Sequence, residues 1–174
     1  MGKKYNEKKN KKTIPKKAVT EEVKNYVRAN NKEIKIMGLV SKEINDHANI
    51  YSMHPYVALK YFKSDWQCFS DWESHELKAF SSFLETLSNH TWKQVYQTGS
   101  RVPKHGLAYT KYEIKDVRSE AIRKRLESVE KKISEDMNFF ELRVDQNKLR
   151  VHGFQSQSAF FLVALDRNHE AFPM

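Results

Sequence analysis

The clearest pattern in the chain lies at its C-terminal end. Three apolar or alternating runs, 139–144, 149–154 and 159–165, are separated by the polar breaks 145–148 and 155–158. Runs of that length, rich in Phe, Val and Leu and bounded by turn residues, predict a three-stranded antiparallel meander. Upstream, helical spacing replaces alternation. Leu77, Phe80, Phe83, Leu84 and Leu87 form one stripe of a helix capped by Asp71 or Ser74 and ending near Asn89. Thr91 caps a shorter helix that turns Trp92, Val95 and Tyr96 inward. Ile122, Leu126, Val129 and Ile133 recur at steps of four, three and four, which predicts a helix over 116–135 with Arg, Lys and Glu on its other faces. Weaker signals place a helix at 20–29, strands at 33–40 and 56–62, a short return strand at 66–69 and a strand at 107–114; residues 41–50 read either way. This order predicts an α+β fold: an antiparallel sheet, including the C-terminal meander, packed against two or three helices.

Alternation fixes which side chains share a face. Connecting Val144 to Leu149 pairs Leu142 with Val151, Arg143 with Arg150, and Glu141 with His152. One face is then apolar and the other carries Glu141, Arg143, Arg150 and His152. A slip by one residue sets Leu142 against Arg150, which the hydrophobic pattern disfavours. A slip by two keeps the faces and pairs Glu141 with Arg150. Arg143 opposite Arg150 is repulsive unless an acid or an anion lies between them. Two readings therefore stand: a phosphate-type anion site, or an ordinary cross-strand ion pair through Glu141. The run 159–165 is apolar on both faces and predicts a central strand covered on both sides. The Arg/His group then falls near an edge or concavity, where ligands commonly bind. His169 follows this strand in the turn-like stretch "DRNH". Its imidazole suits general acid–base chemistry, and stacking on Phe172 is the plainer alternative.

Charge changes the picture only at the N-terminus. Of the formal +9, residues 1–17 carry +7, from eight lysines (Lys3, Lys4, Lys8, Lys9, Lys11, Lys12, Lys16, Lys17) and Glu7, which leaves +2 for the rest. Such a segment predicts a disordered basic tail over 1–18, ahead of a single domain over 19–174. Its lysines suit nucleic-acid phosphates through counterion release, or simply solubilise the chain. With 39% hydrophobic and 12% aromatic residues over the whole chain, the bulk of it is expected to be globular. The single cysteine, Cys68, excludes an internal disulfide, suits a reducing compartment, and is expected to be buried and inert. No run approaches the roughly 20 apolar residues of a membrane helix, and no secretory leader is evident, so the expectation is a cytoplasmic protein without membrane contact. There is no Gly-rich phosphate loop, no HExxH and no GxSxG elbow. His47 and His54 are a weak metal pair, and no cofactor or metal is expected.

The order strand, helix, helix, three antiparallel strands resembles the RelE/ParE-type toxins, small bacterial proteins that cleave mRNA or act on gyrase. The stretches "RVHGF", "FFLVALDRNHEAFP" and "TWKQVY" also resemble a group of small bacterial and phage-associated proteins. The toxin resemblance implies a metal-independent endoribonuclease in which basic side chains on the sheet hold the scissile phosphate. The matching positions are Arg143 and Arg150 for phosphate and His169 for proton transfer, with His152 or Glu141 assisting. It also implies RNA or the ribosome as target and an antitoxin-like protein as partner. The helix over 116–135 is extra to that pattern, and these toxins are usually more basic in the body. Two other readings stand beside it. One is a non-catalytic nucleic-acid- or ribosome-binding accessory protein, with Tyr109 and Tyr112 stacking on bases. The other is a protein-interaction module.

Overall fold

The computed structural model describes residue 36 and residues 53–99, 106–133 and 137–173. The basic tail, the boundary at 18/19, the helix at 20–29, residues 41–50 and His47 lie outside the described residues. So does the strand at 33–40, apart from Ile36. Ile36 is helical and buried rather than extended, and its carbonyl accepts from Lys60 Nζ at 2.7 Å and Tyr61 Oη at 3.0 Å.

The class is α+β. The described elements are β1 (Tyr56–Ala58), α1 (Ser74–Asn89), α2 (Trp92–Gln97), β2 (Thr110–Lys111), α3 (Glu120–Ile133), β3 (Phe139–Arg143), β4 (Arg150–Ser156) and β5 (Ala159–Asp166). They form one five-stranded sheet in the order β1-β5-β4-β3-β2. The meander forms as its apolar runs predict. The sheet is mixed, however, because β1 runs parallel to β5. That pairing joins residues about a hundred positions apart, and no local pattern encodes it.

Both faces of the sheet are covered. Phe140, Leu142, Val151, Phe160, Leu162 and Leu165 pack against Phe83 and Leu87 of α1 and Trp92 and Val95 of α2. Phe139, Phe154, Phe161 and Val163 pack on the other face against Ile122, Leu126, Val129 and Ile133 of α3. Each such Phe or Leu contributes about 1.5–3 kcal/mol by leaving water. The α1 stripe is narrower than its spacing suggests, since Leu77 and Leu84 are exposed.

Local chemistry shortens several expected elements. The strand at 56–62 stops at Ala58, because the chain turns with Phe62 N–H donating to Leu59 O at 3.0 Å. In place of a return strand at 66–69, Phe69–Asp71 is a 3-10 turn, held by Cys68 N–H donating to Asp71 Oδ2 at 2.7 Å. The strand at 107–114 reduces to Thr110–Lys111, and a second 3-10 turn, Ile114–Asp116, delays α3 to Glu120.

β4 and β5 lose register once. His152 pairs with Ala164 but Gly153 pairs with Leu162, so Val163 is an extra residue. Val163 and Ala164 consequently both face α3. A bulge of this kind reverses the phase of the residues that follow. It sends Leu165 to the α1 side and Asp166 to the side of His152. Gly153 is needed there, because a Cβ would run into Phe161 O and lie 2.8 Å from the Phe160 ring.

Candidate functional site

The polar group sits at one end of the α3 face of the sheet. β3 contributes Glu141 and Arg143, β4 contributes Arg150 and His152, and the bulge adds Asp166. The register is one of the two that keep the apolar face together, and it is the one without a slip. Glu141 is opposite His152, Leu142 opposite Val151, and Arg143 opposite Arg150. Val144 N–H donates to Leu149 O at 3.0 Å and closes the hairpin.

Two layers can be distinguished. In the inner one, His152 is fully buried, with Nδ1 2.9 Å from Tyr112 Oη and Nε2 3.3 Å from Asp166 Oδ2. Asp166, also fully buried, accepts from the backbone N–H of Glu170 at 2.7 Å and of Ala171 at 2.9 Å. Burial raises the Asp166 pKa, but the bond and charge of His152 and the two backbone donors outweigh it, so the carboxyl titrates below the ordinary range. Tyr112 is pushed well above the ordinary tyrosine value, first by burial and then by the charges of Glu141 and Asp166. It serves as a neutral hydrogen-bonding group there. Phe172 packs beside it with ring centres 5.0 Å apart. His152 is therefore enclosed, and the expectation that it shares an open patch with the arginines is not met; Arg150 and Glu141 are themselves buried, at 8% and 6% exposed, and only Arg143 and His169 are partly exposed.

The outer layer holds Glu141, Arg143, Arg150 and His169. His169 adopts φ 57, the left-handed region that non-glycine residues seldom enter. This backbone brings His169 Nε2 within 3.4 Å of Glu141 Oε2, close enough for an ion pair but without hydrogen-bond geometry. His169 thus packs against an acid rather than stacking on Phe172. Arg150 Nη1 donates to Leu149 O at 3.0 Å. Burial lowers the Arg150 pKa, Glu141 opposes that, and Arg143 adds to it. Glu141 Oε2, Arg143 Nε and His169 Nε2 are buried and make no hydrogen bond. Three unsatisfied polar atoms on one sheet end are unusual in a folded protein. An anion between the guanidiniums and the imidazole would accept from the two nitrogens, while Glu141 Oε2 needs a donor such as a protonated His169.

Arg167 does not join this group. It donates to Glu76 Oε1 at 2.7 Å, Glu73 Oε1 at 3.0 Å and Asp71 O at 3.1 Å, tying the segment that carries His169 to the start of α1. Tyr109 packs edge-on to Tyr96, 4.8 Å between ring centres, and Tyr112 is partly buried with its ring against His152 and Phe172, so neither is an open stacking platform. Cys68 is half-buried rather than buried. The tail lysines lie outside the described residues. Sequence reasoning passed over Asp166 and Tyr112 as inner partners. The available signal was His152 itself, an imidazole within an apolar strand that requires polar partners once covered.

No family model matches the sequence, no curated protein is significantly similar to it, and no solved structure shares its fold at a significant level.

Proposed function

We propose that the protein binds RNA through its phosphodiester backbone, with Arg143 and Arg150 holding one phosphate, and that it acts as a toxin-type, metal-independent endoribonuclease. The observation that carries this reading is the Arg143–Arg150 cross-strand pair beside His169 and Glu141, with Arg143 Nε and His169 Nε2 buried and unpartnered. Two guanidiniums at one register position match the fork geometry of a phosphate and would stabilise charge accumulating during attack by the 2′-hydroxyl. His169, set against Glu141, is the group placed to move the proton, while the Tyr112–His152–Asp166 chain holds the strand ends beneath it. The chain order of strand, two helices and a closing meander also supports the toxin-type reading. An antitoxin-like protein covering this end of the sheet, and a cytoplasmic setting, belong to the same proposal. Among the described residues no helix is long and apolar enough to cross a membrane.

The enclosure of His152 favours a second reading, in which the same arginines and the lysine tail bind RNA without cutting it, since one imidazole then remains for chemistry. Incubating free and ribosome-bound RNA with the protein and with His169→Ala separates the two. Cleavage that disappears in the variant supports the nuclease. Intact RNA with retained binding supports the accessory protein, and absence of both ends the proposal.

A further inference from the structure

A different part of the molecule carries a feature that the sheet-end site does not explain. Between the loop after β1 and the first turns of α3 lies a cavity of about 260 Å³, lined by Lys63, Asp65, Trp66, Lys124, Arg125 and Ser128. Arg125 is its floor. It is only 7% exposed, and its Nη2 donates to the carbonyl of Tyr61. Its Nε is buried and has no hydrogen-bond partner. The one acid near it, Asp65, is 3.9 Å away from Nε and largely exposed, so it compensates the buried charge poorly. Lys63 and Lys124 stand on the rim, and both are exposed. Lys124 is bound to Glu120 at 2.6 Å, whereas Lys63 has no ion pair among the described residues. Ser128 adds a hydroxyl. Trp66 forms the side wall, its ring fixed by Nε1–H donating to Leu165 O at 3.2 Å.

From this arrangement we infer that the cavity is a binding site for a small phosphate monoester carrying a flat ring, of mononucleotide size. The phosphate accepts from the part of the Arg125 guanidinium that lines the cavity and from the rim ammonium groups, which is the charge-assisted chemistry that arginine suits best. The ring stacks on Trp66, an interaction open to any base. A cavity of this volume admits one such ligand and not a polymer strand along its length. The site shares no residue with the Arg143–Arg150 pair and does not depend on the RNA-binding proposal.

Adenosine 5′-monophosphate, inorganic phosphate and adenosine are each titrated into the full chain, with tryptophan fluorescence and calorimetry as readouts. The monophosphate is expected to saturate and to change the tryptophan emission, a change that Trp66→Phe removes, with phosphate competing and adenosine alone binding more weakly. Because Arg125 is structural as well, the variant of choice is Lys63→Ala with Lys124→Ala, both at exposed positions. It should weaken the monophosphate by about tenfold or more while circular dichroism stays unchanged. Arg143→Ala with Arg150→Ala should leave this binding intact. The inference is overturned if neither phosphate nor the monophosphate saturates in the millimolar range. It is equally overturned if adenosine binds as tightly as its phosphate, if the lysine variant binds like the parent, or if the arginine variant abolishes binding.

Discussion

His152 Nε2 lies 3.3 Å from Asp166 Oδ2 in a part of the sheet that water does not reach. These two residues, on neighbouring strands, anchor the turn that carries His169, because Asp166 also accepts the N–H groups of Glu170 and Ala171. The pair is a buried anchor for the outer layer rather than part of its surface.

Removing the Asp166 carboxylate leaves two backbone donors and an imidazole nitrogen unsatisfied in the core. Asp166→Ala is expected to cost about 3 kcal/mol or more, given roughly 1–3 kcal/mol for each buried group left without a partner. Urea denaturation reads this directly. The Asp166 pKa is depressed in the fold, so its contribution is present above the ordinary aspartate value and is lost as pH falls through the lower, folded value. Stability measured from neutral pH into the acid range should fall more steeply in the parent than in Asp166→Asn.

Tyr112 makes the opposite test. Its pKa is raised, so the folded state keeps the proton after the unfolded chain has released it. Its contribution is complete below the ordinary tyrosine value and declines as pH rises beyond it. Tyrosinate absorbance should therefore show Tyr112 ionising only with alkaline unfolding, and Tyr112→Phe should remove that component while leaving the earlier tyrosines unchanged.

Gly153 permits the bulge that redirects Asp166. Gly153→Ala forces a methyl into Phe161 O and the Phe160 ring, and overpacking of this kind costs about 1–3 kcal/mol. The denaturation midpoint should drop accordingly. An unchanged midpoint would show that β4 and β5 pair without that close approach.

Arg167 links the same turn to α1 through Glu73 and Glu76. Arg167→Ala should speed amide exchange across residues 167–171, with a smaller effect at high salt, where the parent's ion pairs are already screened. Equal exchange in both proteins would mean that Asp166 alone holds the turn.

Much of this architecture was legible in the chain because it is local. Leu142 and Val151 exclude a one-residue slip and leave two registers, of which the structure takes the one that sets Arg143 opposite Arg150. Ile122, Leu126, Val129 and Ile133 mark α3 by spacing, and all four are buried. What stayed hidden depends on distant or irregular features. The parallel pairing of Tyr56 with Ala159 leaves no periodic trace. Ile36 is helical against the alternation of the sequence around it, and its carbonyl accepts from Lys60 and Tyr61. The inner Tyr112–His152–Asp166 chain needs the bulge at Gly153. Strict alternation would send Asp166 to the opposite face, so the sequence shows it only as a turn residue.

The central claim is that Arg143 and Arg150 act together on one RNA phosphate. Binding of a short single-stranded RNA to the full chain, compared with Arg143→Ala, Arg150→Ala and the double variant at two salt concentrations, measures it directly. If the arginines share a phosphate, each single variant loses most of what the double variant loses, and the salt dependence falls by about one counterion rather than two. Affinity and salt dependence unchanged in the double variant would contradict the claim.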